Sequence, residues 1–391
     1  MKKFKLRVHQ LCVLIKYVYY WCYCKIFRIH NDNVWLISER GDEARDNGYA
    51  FYKYMIKNHP EEPFYYVITK DSPDLKLFSS LDHVVFYGTK KHYILFITAG
   101  YLISAHVMGC SPEFRMFNKL DKWRLLKIKG KRISLSHGVD KDKHEGLHYG
   151  NVYFDMLLAG AKPEYDFKVA TYGHPKGVVK YTGYPRFDYL ISKPKKQILF
   201  MPTWRMNLFY CPNVKEFKKT DYYKNWNALL NNEKLHEILE KYHYTLCFYP
   251  HYEIQAFLSA FDIKSKYIKV CDAKHYDVQT LLIESKLLVT DYSSIFFDFA
   301  YMEKPLIYFH FDYEDYRKYH FKEGYYSYQK DGFGPIYDDP DDVVRKIKKY
   351  FETNFKVEKK YHENKERFFP LCDRENSKRV YEEIKKMGKD G

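Results

Sequence analysis

Two α/β domains, each a doubly wound parallel sheet facing a shared cleft, are predicted by three features of this 391-residue chain. Short apolar runs alternate with helical patterns along most of its length. The alternation breaks at a lysine-rich stretch and then restarts. The length suits two or three cores at about 100–200 residues each. With 18 Gly, 15 Pro and 19% aromatic residues, disordered and collagen-like classes are excluded.

The elements follow in order. The segment LCVLIKYVYYWCYCKIFRI (11–29) is interrupted by Lys16 and Lys25. It therefore lacks the roughly 18 clean apolar residues of a transmembrane span, and no A-x-A site marks a signal peptide. Residues 1–30 read as a greasy, lysine-edged helix. Such a helix suits a peripheral anchor on the cytoplasmic face of the membrane, with Lys2, Lys3, Lys5 and Arg7 drawn to anionic lipid. The alternative is a helix packed on the protein's own core. Next, NVWLIS (33–38), FYYVIT (64–69), VVFYG (84–88), YLISAH (101–106), RISLSHG (132–138), FDMLLAG (154–160) and VVKYTG (178–183) read as buried strands. Between the first two, NGYAFYKYMIKNHP carries helical spacing at Ala50, Tyr54, Met55 and Ile56. Strands alternating with helices imply parallel β-α-β units covered on both faces.

The stretch SKPKKQ (192–197) is the expected linker, separating a domain at 31–191 from one at 197–391. Beyond it come strand QILFMPTWR, helix LHEILEKY, strands YTLCFYPH and YIKV, helix DVQTLLIES, strand KLLVTDYSS, helix IFFDFAYME and strand PLIYFHFD. The Lys- and Glu-rich tail, 341–391, reads as helices that finish or bridge the second domain. Ligands of such sheets sit beyond the carboxyl ends of the strands.

Lys and Arg outnumber Asp and Glu by 65 to 50. The excess favours an anionic partner, although heavy lysine usage explains it equally well. No RNP motif, zinc finger or heptad basic region supports nucleic acid. The eight cysteines form no CxxC pair, which argues against a zinc site or a disulfide framework.

The candidate residues fall at strand ends. His137 closes RISLSHG and is followed by Gly138, which permits close backbone approach. A histidine there is placed to act as a general base. His251 holds the matching position in the second half, suited to a phosphate oxygen. In VTDYSSIFFDFA (289–300), Ser293 and Ser294 sit where a strand turns into a helix. Free N–H groups at a helix start and two hydroxyls suit a diphosphate; the bland alternative is an N-cap. Thr203 and Arg205 end ILFMPTWR, where an arginine can grip a phosphate. Arg186 and Asp188 in GYPRFD read as a turn with a local ion pair. Asp140 and Asp142 resemble a metal-binding DxD but stand in a lysine-flanked loop without further ligands. No metal or cofactor is expected, and no dinucleotide fingerprint, P-loop or GxSxG elbow occurs.

In order along the chain, SHG (136–138), GYPRFD (183–188), MPTWR (201–205), YPH (249–251) and TDYSSIFFDFAYMEKPLIYF (290–309) resemble the CDP-glycerol glycerophosphotransferase family. The segments SERGDEARDNGYAFYKY (38–54) and ISAHVMGCSP (103–112) look like a polysaccharide-modifying branch of it. The resemblance runs from about residue 33 to CDRENSKRV at 372–380. It implies two Rossmann-like domains of the GT-B type, peripheral membrane attachment and a CDP-polyol donor. The acceptor it implies is a lipid-linked or polymeric glycan, as in teichoic acid synthesis. By the same resemblance His137 is the base, His251 a donor-phosphate ligand, and Ser293 with Ser294 the diphosphate pair. Asp298, one turn past Ser294, is expected either to reach the cytidine ribose hydroxyls or to be an ordinary surface carboxylate. This chain departs from the family at Ser136, where tryptophan is usual, at Tyr252, where proline is common, and at Asp373-Arg374-Glu375-Asn376-Ser377 in place of DGKAS. The expected reaction is transfer of a polyol phosphate, glycerol phosphate foremost, with release of CMP. The rival is a nucleotide-sugar glycosyltransferase on the same fold.

Overall fold

The computed structural model describes residues 2–126, 128–320 and 322–388, with the side chains of 2–4 and 252 excepted. The Lys2, Lys3 and Tyr252 side chains named above therefore lie outside the described residues. Two compact units divide the chain: Met1–Val139, His144–Tyr189 and Leu371–Gly391 in the first, Asp140–Lys143 and Leu190–Pro370 in the second.

The first unit begins with α1 (Lys2–Ile26). Seven parallel strands follow: β1 (Asn31–Ser38), β2 (Phe64–Ile68), β3 (Val84–Phe86), β4 (Ala99–Ser104), β5 (Lys131–Ser134), β6 (Met156–Ala159) and β7 (Val179–Tyr181). Helices α2 (Asn47–Asn58), α3 (Lys90–Thr98), α4 (Phe114–Lys122) and α5 (Lys162–Thr171) connect them. The sheet order is β3-β2-β1-β4-β5-β6-β7. It places β1 beside both β2 and β4, with Leu36 opposite Leu102 and Ile37 opposite Ile103. Each apolar run read as a strand is one. Leu36, Ile37, Val67 and Ile103 are fully buried, as a sheet covered on both faces requires.

The second unit repeats the plan. Its strands are β8 (Gln197–Met201), β9 (Thr245–Phe248), β10 (Ile268–Val270), β11 (Leu288–Thr290), β12 (Leu306–Phe309) and β13 (Ile336–Tyr337), in the order β10-β9-β8-β11-β12-β13. Its helices are α6 (Val214–Phe217), α7 (Asp221–Leu230), α8 (Glu233–Tyr242), α9 (Val278–Glu284), α10 (Ile295–Tyr301), α11 (Tyr313–Tyr319), α12 (Tyr328–Asp331), α13 (Pro340–Glu352) and α14 (Lys359–Phe368). Its core is strongly aromatic: Trp226 meets Phe309 edge-on at 5.2 Å and packs with Phe200 and Phe248. In both sheets the connections reverse beside the first strand, β1/β4 and β8/β11, which is where doubly wound sheets open a ligand crevice.

The last helix, α15 (Asn376–Met387), groups with the first unit, whereas a domain boundary at 197 leaves it with the second. Asp188 explains the difference. Its carboxylate accepts the backbone N–H groups of Asn376 and Ser377 at 2.9 and 2.8 Å and the Asn376 amide at 2.8 Å. A carboxylate at a helix start satisfies free N–H groups and complements the dipole. Asp188 therefore pins α15 instead of pairing with Arg186.

Candidate active site

In the first unit, the ends of β1, β4 and β5 gather two histidines and three carboxylates. The loop after β1 is organised by Glu39, fully buried, which accepts N–H bonds from Arg45, Asp46 and Tyr49 at 3.0, 2.7 and 3.0 Å. Burial and the nearby Asp46 charge push the Glu39 pKa up, against the pull of those three bonds. This anchors the first turn of α2 and presents Asp46. The turn comes close to the sheet: a Cβ on Gly48 would stand 2.9 Å from the Ser38 carbonyl oxygen.

Asp46 is bonded to His137 Nδ1 through Oδ2 and accepts from Arg186 Nη1 at 2.8 Å through Oδ1. Burial raises the Asp46 pKa, but the His137 and Arg186 charges outweigh it and hold the carboxyl well below its usual range. Arg186 Nη1 also donates to the His137 backbone carbonyl. Asn47 donates to the carbonyl oxygens of Leu135 and Ser136 at 3.3 and 2.7 Å and accepts from the Arg186 N–H at 3.1 Å. Ser136 takes a left-handed φ of 56°, costly for a residue with a Cβ. Its hydroxyl, bonded to the Leu158 carbonyl at 3.1 Å, holds it there. Tyr184 donates to the Gly138 carbonyl at 3.0 Å. The turn is thus fixed on every side while the His137 side chain stays 65% exposed.

With Nδ1–H committed to a carboxylate, His137 Nε2 carries the lone pair and can accept a proton. The Asp46 charge raises the His137 pKa, against partial burial and the charges of Arg186 and Arg40. His106, at the end of β4, lies with its ring 4.8 Å from that of His137 and its Nε2 3.5 Å from Glu43. Burial lowers its pKa.

In the second unit, the ends of β8, β9, β11 and β12 converge on Arg205. The guanidinium grips Asp312 bidentately at 2.7 and 2.9 Å, pairs with Asp291 at 2.9 Å and donates to the Thr203 carbonyl at 2.8 Å. It lies over the Tyr292 ring at 4.8 Å. At 4% side-chain exposure it holds the protein's own loops together rather than facing a ligand, unlike the phosphate grip expected from sequence. Asp291 also accepts the N–H groups of Thr203 and Tyr292 at 2.8 and 2.6 Å. The Thr203 hydroxyl is buried without a partner among the described residues, a polar atom that awaits one.

His251 caps the helical turn that begins at Tyr252, its Nδ1 accepting from the Glu253 N–H at 3.3 Å, and it stacks on Trp204 at 6.0 Å. Burial lowers its pKa to about 4 against the raising charges of Glu253 and Asp291. The ring is therefore neutral near pH 7, with the proton on Nε2, a hydrogen-bond donor without charge. Ser293 is half-buried and Ser294 exposed at the start of α10. The Ser294 side chain makes no capping bond, so its hydroxyl is not consumed as an N-cap. Asp298 is buried in α10, not an ordinary surface carboxylate. Asp142 is held by Lys141 and by Arg317, the latter at 2.6 Å, which occupies the carboxylate that a DxD site would need.

A model of the family described as CDP-Glycerol:Poly(glycerophosphate) glycerophosphotransferase matches residues 19–386. The chain belongs to this family. Minor teichoic acid biosynthesis protein GgaB of Bacillus subtilis is 34% identical over 376 residues, 92% of this chain and 40% of that protein. A teichoic acid poly(glycerol phosphate) polymerase of Bacillus spizizenii is 31% identical over 220 residues, 52% of each chain. This glycerophosphotransferase-family chain thus spans about half or less of the length of those relatives. The teichoic acid glycerol-phosphate transferase of Staphylococcus aureus matches it at 22% identity over 87% of this chain and 90% of its own. Among solved structures, the wall teichoic acid polymerase TagF superposes with a TM-score of 0.69 at 18% identity, covering 99% of this chain and 97% of that one. A putative UDP-N-acetylglucosamine 2-epimerase from Listeria monocytogenes reaches 0.58 at 12% identity over 92% and 98%. Both bear out the two-domain Rossmann-like fold.

Sequence reasoning singled out His137, Gly138, Thr203, Arg205, His251, Ser293, Ser294 and Asp298. The structure brings His137 and Gly138 together in the first unit and Thr203, Arg205, His251, Ser293 and Ser294 to the strand ends of the second, with Asp298 inside α10. It adds Asp46, Asn47 and Arg186 around His137, and Asp312 and Trp204 around Arg205 and His251. Asp46 lies 91 residues from His137 along the chain, so no local pattern signals the pair.

Proposed function

We propose that this chain transfers glycerol phosphate from CDP-glycerol to a hydroxyl of a cell-wall glycan or growing polymer, releasing CMP. The observation that carries the reading is the His137–Asp46 dyad, exposed at the switch point of the first sheet in a member of this family. His137 Nε2 takes the acceptor hydroxyl proton. The oxygen attacks the glycerol-bearing phosphorus, and the bond from that phosphorus to the bridging oxygen breaks with its electron pair leaving on CMP. Such transfers depend on positioning and on countering charge as the leaving group departs. The second unit supplies that as the donor side: neutral His251 donates through Nε2–H, the Thr203, Ser293 and Ser294 hydroxyls bind phosphate oxygens, and Asp298 lies toward the ribose. Arg205 acts by fixing the Thr203–Trp204 loop. The first unit is the acceptor side.

The test is incubation with CDP-glycerol and with CDP-ribitol, each with and without a lipid-linked acceptor. Acceptor-dependent CMP release, faster from CDP-glycerol, is the expected result. Nucleoside diphosphate release from a nucleotide sugar, with none from either CDP-polyol, would select the glycosyltransferase reading instead.

The pH profile tests the dyad. A base must be unprotonated, so kcat/KM should fall as pH drops through the raised His137 pKa, with a midpoint above the ordinary value of about 6.5. Asp46, Arg186, Arg40 and His106 are the charged and titratable neighbours that set it. Asp46→Asn removes the raising charge and the tautomer lock. We expect a loss of about 10²-fold in kcat and a midpoint moved to lower pH. An unmoved midpoint would take the profile away from His137.

Residues 2–26 support a membrane-facing role on the cytoplasmic face. No helix of the described residues is long and apolar enough to cross a membrane. One side of α1 packs on the fold through Val13, Tyr17 and Cys24, with Tyr17 edge-on to Phe117 at 5.2 Å. The opposite side leaves Leu11, Ile15 and Val18 57%, 60% and 51% exposed, with Trp21 and Ile26 alongside. Both readings of this segment therefore describe one helix, each for a different face. Full insertion of one such side chain contributes about 1.5–3 kcal/mol. Leu11→Ser, Ile15→Ser and Val18→Ser together should weaken binding to anionic vesicles by more than about tenfold without lowering the melting temperature. Unchanged vesicle binding would place the attachment elsewhere.

A further inference from the structure

We propose that Asp46, His106 and His137 form a zinc(II) site whose occupation blocks the proton-accepting histidine; this rests on the reading of His137 as the base. Each residue offers one ligand atom, and the three atoms lie within 4.8 Å of one another. Zinc takes imidazole nitrogen at about 2.0–2.1 Å and carboxylate oxygen at about 2.0–2.2 Å, so its tetrahedral donors stand about 3.3 Å apart. Closing a set whose atoms stand as much as 4.8 Å apart needs a side-chain shift of up to about 1.5 Å by His106 or His137. The exposed His137 ring has room for it.

The surroundings favour an ion of this kind. Arg186 holds Asp46 by Oδ1, which leaves Oδ2, now bonded to His137, as the metal-facing oxygen. Glu43, 3.5 Å from His106 Nε2, is placed to orient that imidazole from behind or to join the ion as a fourth ligand. Two imidazoles and a carboxylate suit zinc rather than magnesium or calcium, which prefer all-oxygen shells. Solvent access at His137 lets water fill an open position.

Metal binding displaces the proton shared by His137 and Asp46 and rearranges the pair that presents Nε2 to the acceptor. The ion is inhibitory, not catalytic, so chelator should never lower the rate.

The experiment uses the full chain with cobalt(II) and zinc(II). We expect cobalt to give the intense visible absorption of a four-coordinate site, displaced by zinc. Zinc should inhibit CMP release, EDTA should restore it, and His106→Gln should need at least tenfold more zinc to lose the same fraction of its own zinc-free rate. Cobalt showing only the pale spectrum of its six-coordinate aqua ion overturns the site, as does equal zinc inhibition of His106→Gln. A rate abolished by EDTA also overturns it, since the ion would then be required. Four-coordinate cobalt with CMP release unaffected overturns the blocking and, with it, the role of His137 as base. An inactive His137→Ala variant together with a wild-type chain that binds neither cobalt nor zinc leaves the base reading intact and removes only the zinc site.

Discussion

His137→Ala should lower acceptor-dependent CMP release by about 10²–10⁴-fold, the usual contribution of a positioned general base. CDP-glycerol affinity should stay nearly unchanged, because the ring acts on the acceptor and the proposed donor ligands all belong to the second unit. The fold should tolerate the change. The side chain is largely exposed, and the network that shapes its turn runs through backbone carbonyls, Asn47, Arg186 and the Ser136 hydroxyl, none of which the substitution removes. The thermal midpoint separates the two causes of an inactive variant. A lost rate with an unaltered melting curve identifies a chemical defect, whereas a lost rate with early melting identifies a structural one. A residual rate within about tenfold of wild type, about 1.4 kcal/mol of barrier, would remove His137 from the base position.

The strands were legible because sheets buried on both faces need continuous apolar runs, and NVWLIS, MLLA, QILF and LIYF are such runs. His137 and His251 were legible because each closes a run, and crevices open at strand ends. The partners of these groups were not. Arg186 stands two residues from Asp188, and sequence proximity suggests a pair. In the fold Arg186 turns to Asp46, while Asp188 caps α15 from 188 residues away. Arg205 follows Thr203 and Trp204 at the end of a strand, a pattern equally suited to a ligand grip or to an internal clamp. Asp312, 107 residues downstream, decides for the clamp. The amphipathic tail shows that its helices pack but not on which unit, since apolar spacing carries no address. The address of α15 lies in the carboxylate of Asp188, and pairing across such separations leaves no periodic trace.

Arg205→Met is the substitution with the largest expected effect on stability. Asp291 and Asp312 have 0% and 13% side-chain exposure, and the guanidinium is their common counter-charge. Removing one partner of a buried ion network costs about 3–5 kcal/mol, because the remaining charge is stranded away from water. That is a large share of the roughly 5–15 kcal/mol that holds a domain folded. The loss should be local before it is global. Amides of residues 201–205 and 288–292 should exchange faster, while those of β1 and β4 in the first unit keep their protection. Arg205→Lys keeps a charge but not the planar fork that meets both oxygens of Asp312, so it should recover only part of the stability. Arg205→Met with Asp312→Leu removes one of the two stranded charges and should be less damaging than the two single costs added together. Donor affinity should fall alongside stability in Arg205→Met, since Trp204, on which His251 stacks, and Thr203 both lose their tether. A cost below about 1 kcal/mol, the level of a surface pair, would mean that the loops of the second unit are held by something other than this arginine.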